Sequence, residues 1–276
     1  MSTSLRGRLA GLAVEHHGIF TRSQALDEGY SSKEIQHLLA IGAWHRLRVG
    51  IYVETALWRQ WDSRERHLAE TRAALLRVAD GAAASHVTAG VVHGFDLHQP
   101  DLSWIHLTRP RRHSARKEAG IDHHVGRLDP HEVVDVDGIA VTSPARTVVD
   151  IAASSSFEAG LVTADSALRK GLHPDDLRRQ FETQVEWPGS RTASKVRLAA
   201  DGRAQSPGET LSRVAFMELG LPAPDLQGRL DNPDGSVFAY LDFVWWDLRT
   251  AAEFDGKRKY YRDLRDGEDP GDIVWR

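Results

Sequence analysis

The sequence has no cysteine, no long apolar run and no strong excess of charge of either sign. Without cysteine, disulfides, zinc fingers, iron–sulfur clusters and thiol catalysis are excluded, and any bound metal must use oxygen or imidazole ligands. No run approaches the roughly 18 apolar residues of a membrane helix, and the first residues lack the apolar stretch of a signal peptide. We therefore expect a soluble, cytoplasmic protein without membrane contact. The net charge of −4 restricts any nucleic-acid binding to local basic patches.

The length and composition indicate a globular protein of two or three domains. Its 276 residues exceed the ~150 residues of a typical single domain, and 41% of them are hydrophobic while 27% are charged. We expect short helices and a strand pair in residues 1–60, a mixed α+β middle domain in residues 61–172, a helical linker in residues 173–205 and an α/β module in residues 206–276. The predicted fold class is therefore mixed α+β.

The first 60 residues have the layout of a winged helix-turn-helix. Two short helices are followed by a third helix that begins at a good capping residue, Ser31, and then by a basic β-hairpin. In this fold the second helix of the motif enters the major groove of DNA, and exposed residues near its start meet base edges. The residues in that position here are Ser31, Ser32, Lys33, Gln36 and His37.

The hairpin supplies two arginines to the predicted DNA-binding surface. Arg46 and Arg48 flank Leu47, so alternation along a strand predicts that both arginines project from one face while Leu47 and Val49 point to the core. Residues 1–60 contain seven Lys and Arg against five Asp and Glu, a small excess of +2. The alternative interpretation is a small helical domain that contacts protein.

A basic loop follows in the middle region. Between positions 109 and 117 there is no acidic residue, and the cations are Arg109, Arg111, Arg112, Arg116 and Lys117. Such a loop either neutralises phosphates or is a solvated connection, and we favour the phosphate interpretation. Nearby, His123 and His124 follow Asp122, but adjacent residues of a strand point to opposite faces and make poor joint metal ligands. We interpret these histidines as structural.

Acidic residues recur in two predicted strands near the C-terminus. Asp242 lies within one strand, and in the next extended segment Glu253, Asp255 and Lys257 alternate onto one face. If the strands are antiparallel neighbours, the carboxylates meet, and they repel one another unless a divalent cation lies among them. We predict a Mg²⁺ or Mn²⁺ site at Asp242, Glu253 and Asp255, extended by Glu209 from the preceding helix. The alternative is ordinary surface acids beside a tight turn.

Two stretches of the first region, residues 17–25 and 41–52, resemble the N-terminal winged-helix domain of AbiEi-type antitoxins, and the hairpin at residues 48–52 is the most recognisable piece. Residues 105–109 and 141–150 are similar to the second part of such proteins. The resemblance implies binding to double-stranded DNA, often at the protein's own promoter, and a cognate toxin as a partner.

The C-terminal acids resemble the PD-(D/E)xK nuclease superfamily, in the branch of very-short-patch-repair endonucleases. This resemblance implies a restriction-endonuclease-like module in which Asp242 and Glu253 bind metal, Asp255 and Glu209 support them, and Lys257 is the lysine of the motif. In an alternative register, residues 255–257 supply the motif. Relatives continue with a further helix and strands, so we expect a shortened module whose catalytic activity is open.

Three functions are compatible with these patterns. The first is a metal-dependent DNA endonuclease with its own DNA-targeting domain. The second is a non-catalytic antitoxin that represses transcription of its own operon. The third is a module that neutralises a toxin by protein contact alone. The sequence favours DNA binding and predicts no particular oligomeric state.

Overall fold

The computed structural model of the protein describes residues 5–78, 81–110, 115–183 and 189–255. Helices and sheets both occur, and the mixed α+β fold class is confirmed. Among the helices described, none is long and apolar enough to cross a membrane. Three candidate site residues lie outside the described residues: Arg111, Arg112 and Lys257.

The chain divides into two compact units, Met1–Ile151 and Ala152–Arg276. The first unit begins with helices and strands in the order α1 (Gly7–Glu15), β1 (Ile19–Thr21), α2 (Arg22–Asp27), α3 (Ser32–Ala40), β2 (Trp44–Arg48) and β3 (Ile51–Glu54). The strands form an antiparallel sheet in the order β1–β3–β2. Under this sheet the helices bury an aromatic core that includes Phe20, Tyr30, Trp44 and Tyr52.

The remainder of the first unit is a six-stranded sheet with helices. Its elements are α4 (Thr55–Gln60), α5 (Ser63–Leu75), β4 (Ala83–Ala84), α6 (His86–His93), β5 (Ile105–Arg109), β6 (Arg116–Glu118), β7 (Ile121–Val125), β8 (Val133–Val136) and β9 (Ile139–Thr142). The strand order is β6–β7–β5–β4–β9–β8, and the β5–β7 and β4–β9 pairs are parallel. Alternate strand residues such as Ile105, Leu107 and Val141 fill the core beneath the sheet. The next helix, α7 (Pro144–Ser154), runs across the boundary between the units.

The second unit begins with helices and ends with an antiparallel sheet. Its further elements are α8 (Phe157–Arg169), α9 (Pro174–Glu182), α10 (Ser190–Ala199), α11 (Pro207–Glu218), β10 (Asp225–Asp231), β11 (Val237–Trp245) and β12 (Thr250–Ala252). The strand order is β10–β11–β12. The sequence predicted β11 and a second strand over residues 250–255, but β12 ends at Ala252, and β10 was not predicted.

Residues 173–205, predicted to be a linker, contain α9 and α10. Leu177 and Phe181 on α9 and Val196 on α10 are buried, and α10 packs against α8. Apolar residues of both helices are therefore part of the core of the second unit. The bounds predicted for the four segments of the chain stay predictions.

A buried carboxylate joins three parts of the second unit. Asp165 on α8 accepts hydrogen bonds from the Asp201 backbone at 2.7 Å and from Thr210 Oγ1 at 2.8 Å, and it forms an ion pair of 2.7 Å with Arg213. Burial raises the pKa of Asp165 to about 6, although the charge of Arg213 acts in the opposite direction. The bonds from Thr210 and Arg213 fix α11 on α8.

Candidate functional site

The start of α3 is fixed by reciprocal hydrogen bonds. Ser31 Oγ accepts a bond from the Glu34 backbone at 3.2 Å, and Glu34 Oε2 accepts one from the Ser31 backbone at 2.8 Å. These bonds and the one from Arg6 at 2.7 Å lower the pKa of Glu34 to about 2. The acid nearest the start of the helix is thus already paired with a cation.

One side of α3 is polar and faces solvent. Ile35 is buried in the aromatic core, which turns the opposite side of the helix outward. We call this surface the α3 face, and all its members are exposed: Arg22, Ser31, Ser32, Lys33, Gln36 and His37. The five α3-face residues predicted from the sequence therefore lie together. Arg22 was not predicted. It begins α2, and its Nη2 donates a hydrogen bond of 2.7 Å to Ser32 Oγ.

The hairpin of β2 and β3 separates the two arginines that were expected to act together. Arg46 is exposed and Leu47 is buried, as predicted. Arg48 instead lies 3.4 Å from Glu70 on α5 and donates to the carbonyl of Ala119 in the β6–β7 turn. The register of β2 shifts between Arg46 and Arg48, and this irregularity breaks the strict alternation that the prediction assumed. The expectation that Val49 points to the core is also wrong, because it is 72% exposed.

The described part of the basic loop is partly neutralised by acids. Arg116 forms an ion pair with Glu118, and Lys117 Nζ lies 3.4 Å from Asp122. Lys117 also lies over the ring of Trp104. Both cations contact groups of their own domain, so the structure gives the phosphate interpretation of this loop less support than it gives the α3 face.

Three of the predicted C-terminal acids come together in what we call the acidic cluster: Glu209, Asp242 and Glu253. Glu209 lies in the first turn of α11, where its carboxylate accepts bonds from the Gln205 backbone at 2.8 Å and Ser206 Oγ at 2.9 Å. Asp242 on β11 accepts a bond of 2.8 Å from the backbone of Phe254, and its own backbone lies 3.4 Å from Glu253 Oε1. The helix and the sheet therefore bring their acids to one place.

Gln227 on β10 links two of these carboxylates. Its Nε2 lies 3.3 Å from Glu209 Oε2 and 3.4 Å from Asp242 Oδ1. Gln227 lies between Leu226 and Gly228, which pair with Phe243 and Leu241 of β11. It has a left-handed backbone, with φ of +54°, which is uncommon for a residue other than glycine. The sequence did not predict this residue. The sequence did contain a signal for it: Leu226, Gly228 and Leu230 alternate with polar residues, and Gln227 is the first of these polar residues.

The predicted metal set of Asp242, Glu253 and Asp255 is not assembled in the described part of the chain, where these three do not offer oxygens within 4.8 Å of one another. Both Asp242 and Glu253 face backbone amides instead, as the bond from Phe254 and the contact with the Asp242 backbone show. Asp255 is exposed and follows the end of β12. A Cβ atom at Gly208 would lie 2.0 Å from the Phe254 ring as it is placed here, so the ring packs directly against the glycine beside Glu209.

Comparisons with known proteins cover most of the chain before α11. Residues 8–55 match the family model described as "Transcriptional regulator, AbiEi antitoxin", and residues 71–197 match the model of the "AbiEi antitoxin C-terminal domain". Neither match extends into the segment that carries the acidic cluster.

Two curated relatives come from Mycobacterium tuberculosis, the uncharacterized proteins Rv2248 and MT2308. Each is 32% identical over 169 residues, which are 61% of this chain and 60% of the relative. The match thus spans about 60% of the length of these relatives. The crystal structure of the RV2827C protein from the same species aligns with a TM-score of 0.47 and 15% identity, over 83% of this chain and 89% of that one.

Proposed function

We propose that this chain is a DNA-binding transcriptional regulator of the antitoxin type. Family models of both AbiEi antitoxin domains match it. The observation that carries the proposal is the α3 face, a solvent-exposed helix surface with two cations, Arg22 and Lys33. It follows a helix–strand–helix order and precedes a β-hairpin, which is the order of elements in a winged helix-turn-helix. In that fold the corresponding helix enters the major groove.

The side chains of the α3 face suit different parts of a duplex. Lys33 can donate to guanine O6 and N7, and the amide of Gln36 can bond both N6 and N7 of adenine. Arg22 and the hydroxyl of Ser32 are suited to phosphate contacts, which position the protein without reading sequence. Arg46 on the hairpin adds a further phosphate contact. Arg48 is left out because it already contacts Glu70 and Ala119.

The antitoxin part of the proposal includes a cognate toxin as a second partner. The family description of residues 71–197 supports it, because that region matches an antitoxin C-terminal domain. Co-expression of this chain with a toxin encoded beside it should restore growth, while the Lys33→Ala variant should still restore growth and fail only in repression. If repression and neutralisation are lost together, the two functions do not divide between the regions in this way.

The salt dependence of DNA binding tests the phosphate contacts. Each phosphate contact contributes about 0.9 to the slope of log K against log salt, so Arg46→Ala should lower the slope by about that amount. Arg48→Ala is the matched control, since we expect its slope to equal that of the unaltered protein. Fluorescence anisotropy at a series of NaCl concentrations measures both. Equal slopes for Arg46→Ala and the unaltered protein would remove the hairpin from the interface.

A nuclease-like role of the second unit is the second candidate function. The favouring observation is that Glu209 and Asp242 contact the same amide of Gln227, with Glu253 beside Asp242. Glu209 on α11, Asp242 on β11 and Glu253 after β12 follow one another along the chain in the order seen in the PD-(D/E)xK nucleases that the sequence resembles. Carboxylate oxygens are the ligands that Mg²⁺ prefers, often one or two together with water.

Asp242 and Glu209 are the residues that would hold Mg²⁺ or Mn²⁺ in this role, because the Gln227 amide, a hydrogen-bond donor, lies between them. The ion would supply an activated water and neutralise charge on a phosphodiester. Gln227 would have to move aside, and its long hydrogen bonds of 3.3 and 3.4 Å would be weak ones to break.

Plasmid cleavage in Mg²⁺ or Mn²⁺ tests this second function. The unaltered protein should nick supercoiled DNA, and Asp242→Asn should not. Asp247→Asn, at an exposed acid between β11 and β12, is the control and should cleave normally. Intact plasmid with every variant, together with no calorimetric signal for either ion at millimolar concentration, would reject the nuclease role and leave the DNA-binding proposal standing.

A further inference from the structure

Two parallel strands of the six-stranded sheet place metal-ligating side chains on one face. In the β5–β7 register, His106 pairs with Asp122 and Thr108 pairs with His124. Because alternate strand residues share a face, His106, Asp122 and His124 lie on the same side of the sheet, opposite Leu107. One ligand atom of each of the three lies within 4.8 Å of the other two.

The distances within this group are short. His106 Nδ1 lies 2.9 Å from His124 Nε2 and 4.0 Å from Asp122 Oδ2. Sequence reasoning considered His124 only with its neighbour His123, and the two do point to opposite faces: His123 is buried, with its ring 3.3 Å from Glu118. The residue that meets His124 lies 18 positions earlier in the chain, so only the parallel pairing of β5 and β7 brings them together.

A third histidine holds the ring of His124 in place. His86, the first residue of α6, stacks on His124 with ring centroids 3.7 Å apart and planes 17° apart. Its Nδ1 lies 3.0 Å from Ser85 Oγ, and its backbone has a left-handed φ of +52°. Such strain in a residue other than glycine persists only where surrounding contacts enforce it, and it clusters at functional sites. The contact between His86 and His124 is one of ring face on ring face, so His86 is placed to position His124.

An imidazole binds a metal ion through the lone pair of its neutral form. Burial, followed by the charge of His124, lowers the pKa of His106 to about 4. Burial also lowers the pKa of His86 and of His124. A cationic competitor is already present, because Lys117 Nζ lies 3.4 Å from Asp122 Oδ2. The lysine side chain is 54% exposed and can leave the carboxylate.

We propose that His106, Asp122 and His124 bind one divalent cation of the zinc class. Two imidazoles and one carboxylate form a ligand set used for Zn²⁺ with a fourth position open to water. The proton between His106 and His124 moves to the outer nitrogen of one ring, so both imidazoles stay neutral and each turns a lone pair to the ion. The ion then cross-links β5 to β7 and displaces Lys117 from Asp122.

Isothermal titration calorimetry of the full chain, free of any tag, with ZnCl₂ tests the site. We expect one tight ion per chain, with affinity reduced at least about tenfold in His124→Gln and in Asp122→Asn. His131→Gln, at an exposed histidine of the same region, is the matched control and should bind like the unaltered protein. Lys117→Gln should bind more tightly, because it removes the competing cation. Equal Zn²⁺ affinity in the unaltered protein and His124→Gln, or no binding at all, overturns the proposal.

Visible absorption with Co²⁺ supplies a readout that does not depend on affinity alone. A tetrahedral site of nitrogen and oxygen ligands should give intense d–d bands in the unaltered protein, and these should be lost in His106→Gln. Circular dichroism shows whether each histidine variant is folded. If one is not, Asp122→Asn and Lys117→Gln, which keep all three imidazoles, decide the question: unchanged affinity in both would overturn the proposal.

Discussion

The α3 face and the acidic cluster contain polar side chains in opposite circumstances. Lys33 and Gln36 on the α3 face are exposed, and no hydrogen-bond partner is found for either among the residues that the structure describes. In the acidic cluster, Glu209 and Asp242 each accept bonds from backbone and side-chain donors of the same unit. Side chains without internal partners, such as those of Lys33 and Gln36, are ready for an external ligand, whereas a cluster with internal partners must exchange them first.

This difference explains why the two functions receive unequal support. Base contacts by Lys33 and Gln36 break no internal hydrogen bond, and phosphate contacts by Arg22 and Ser32 compete only with the bond between these two side chains. Metal binding at the acidic cluster needs the Gln227 amide to leave two carboxylates. The binding free energy of the ion must therefore exceed the free energy of the two hydrogen bonds that are lost.

The largest effect is expected from removal of the buried carboxylate that fixes α11. Asp165→Ala leaves Arg213, whose side chain is 12% exposed, without its ion-pair partner, and breaking a buried pair in this way costs about 3–5 kcal/mol. Urea unfolding should show the loss, and hydrogen exchange should show faster opening of α8 and α11. If the free energy of unfolding falls by less than about 1 kcal/mol, the ion pair does not hold α11 in place.

The same residue predicts a pH dependence. Its pKa is raised in the folded protein from an ordinary 3.8 to about 6, so its contribution to stability is fully present below pH 3.8 and is lost as the pH rises through 6. Asp165→Asn cannot ionise and lacks this contribution. The difference in unfolding free energy between the two proteins should therefore change by about 2 kcal/mol from pH 4 to pH 7.

Urea titrations of both proteins at several pH values measure this difference. Asp234→Asn, at an exposed turn residue, is a control that should leave the profile between pH 4 and pH 7 unchanged. A constant difference between the unaltered protein and Asp165→Asn across this range would show that Asp165 keeps an ordinary pKa.

Local sequence signals predicted the parts of the fold that local chemistry controls. Ser31 was expected to start a helix, and its side chain accepts the bond from the backbone of the third residue of α3. Ile35 is the buried apolar residue of α3, so the helical period places the polar residues around it on the exposed side. The α3 face was therefore predictable almost completely, except for Arg22, which reaches it from α2.

Long-range pairing decided the parts that the sequence did not show. Gly228 and the charged residues weakened the strand signal of β10, so Gln227 was not placed beside Asp242. A shift of one position in the β2 register redirected Arg48 to Glu70. Such contacts depend on the register between distant segments, and alternation within one strand cannot specify that register.

The central claim is that the α3 face reads DNA sequence, and the affinity of Lys33→Ala tests it most directly. Duplexes enriched from a random pool by the unaltered protein provide the specific site, and Lys195→Ala, at an exposed lysine of α10, provides the control. Fluorescence anisotropy should show that Lys33→Ala loses ~1–3 kcal/mol on the enriched duplex and much less on random DNA. Lys195→Ala should lose nothing on either. Unchanged binding of Lys33→Ala to the enriched duplex, or no enrichment from the pool, would contradict the account.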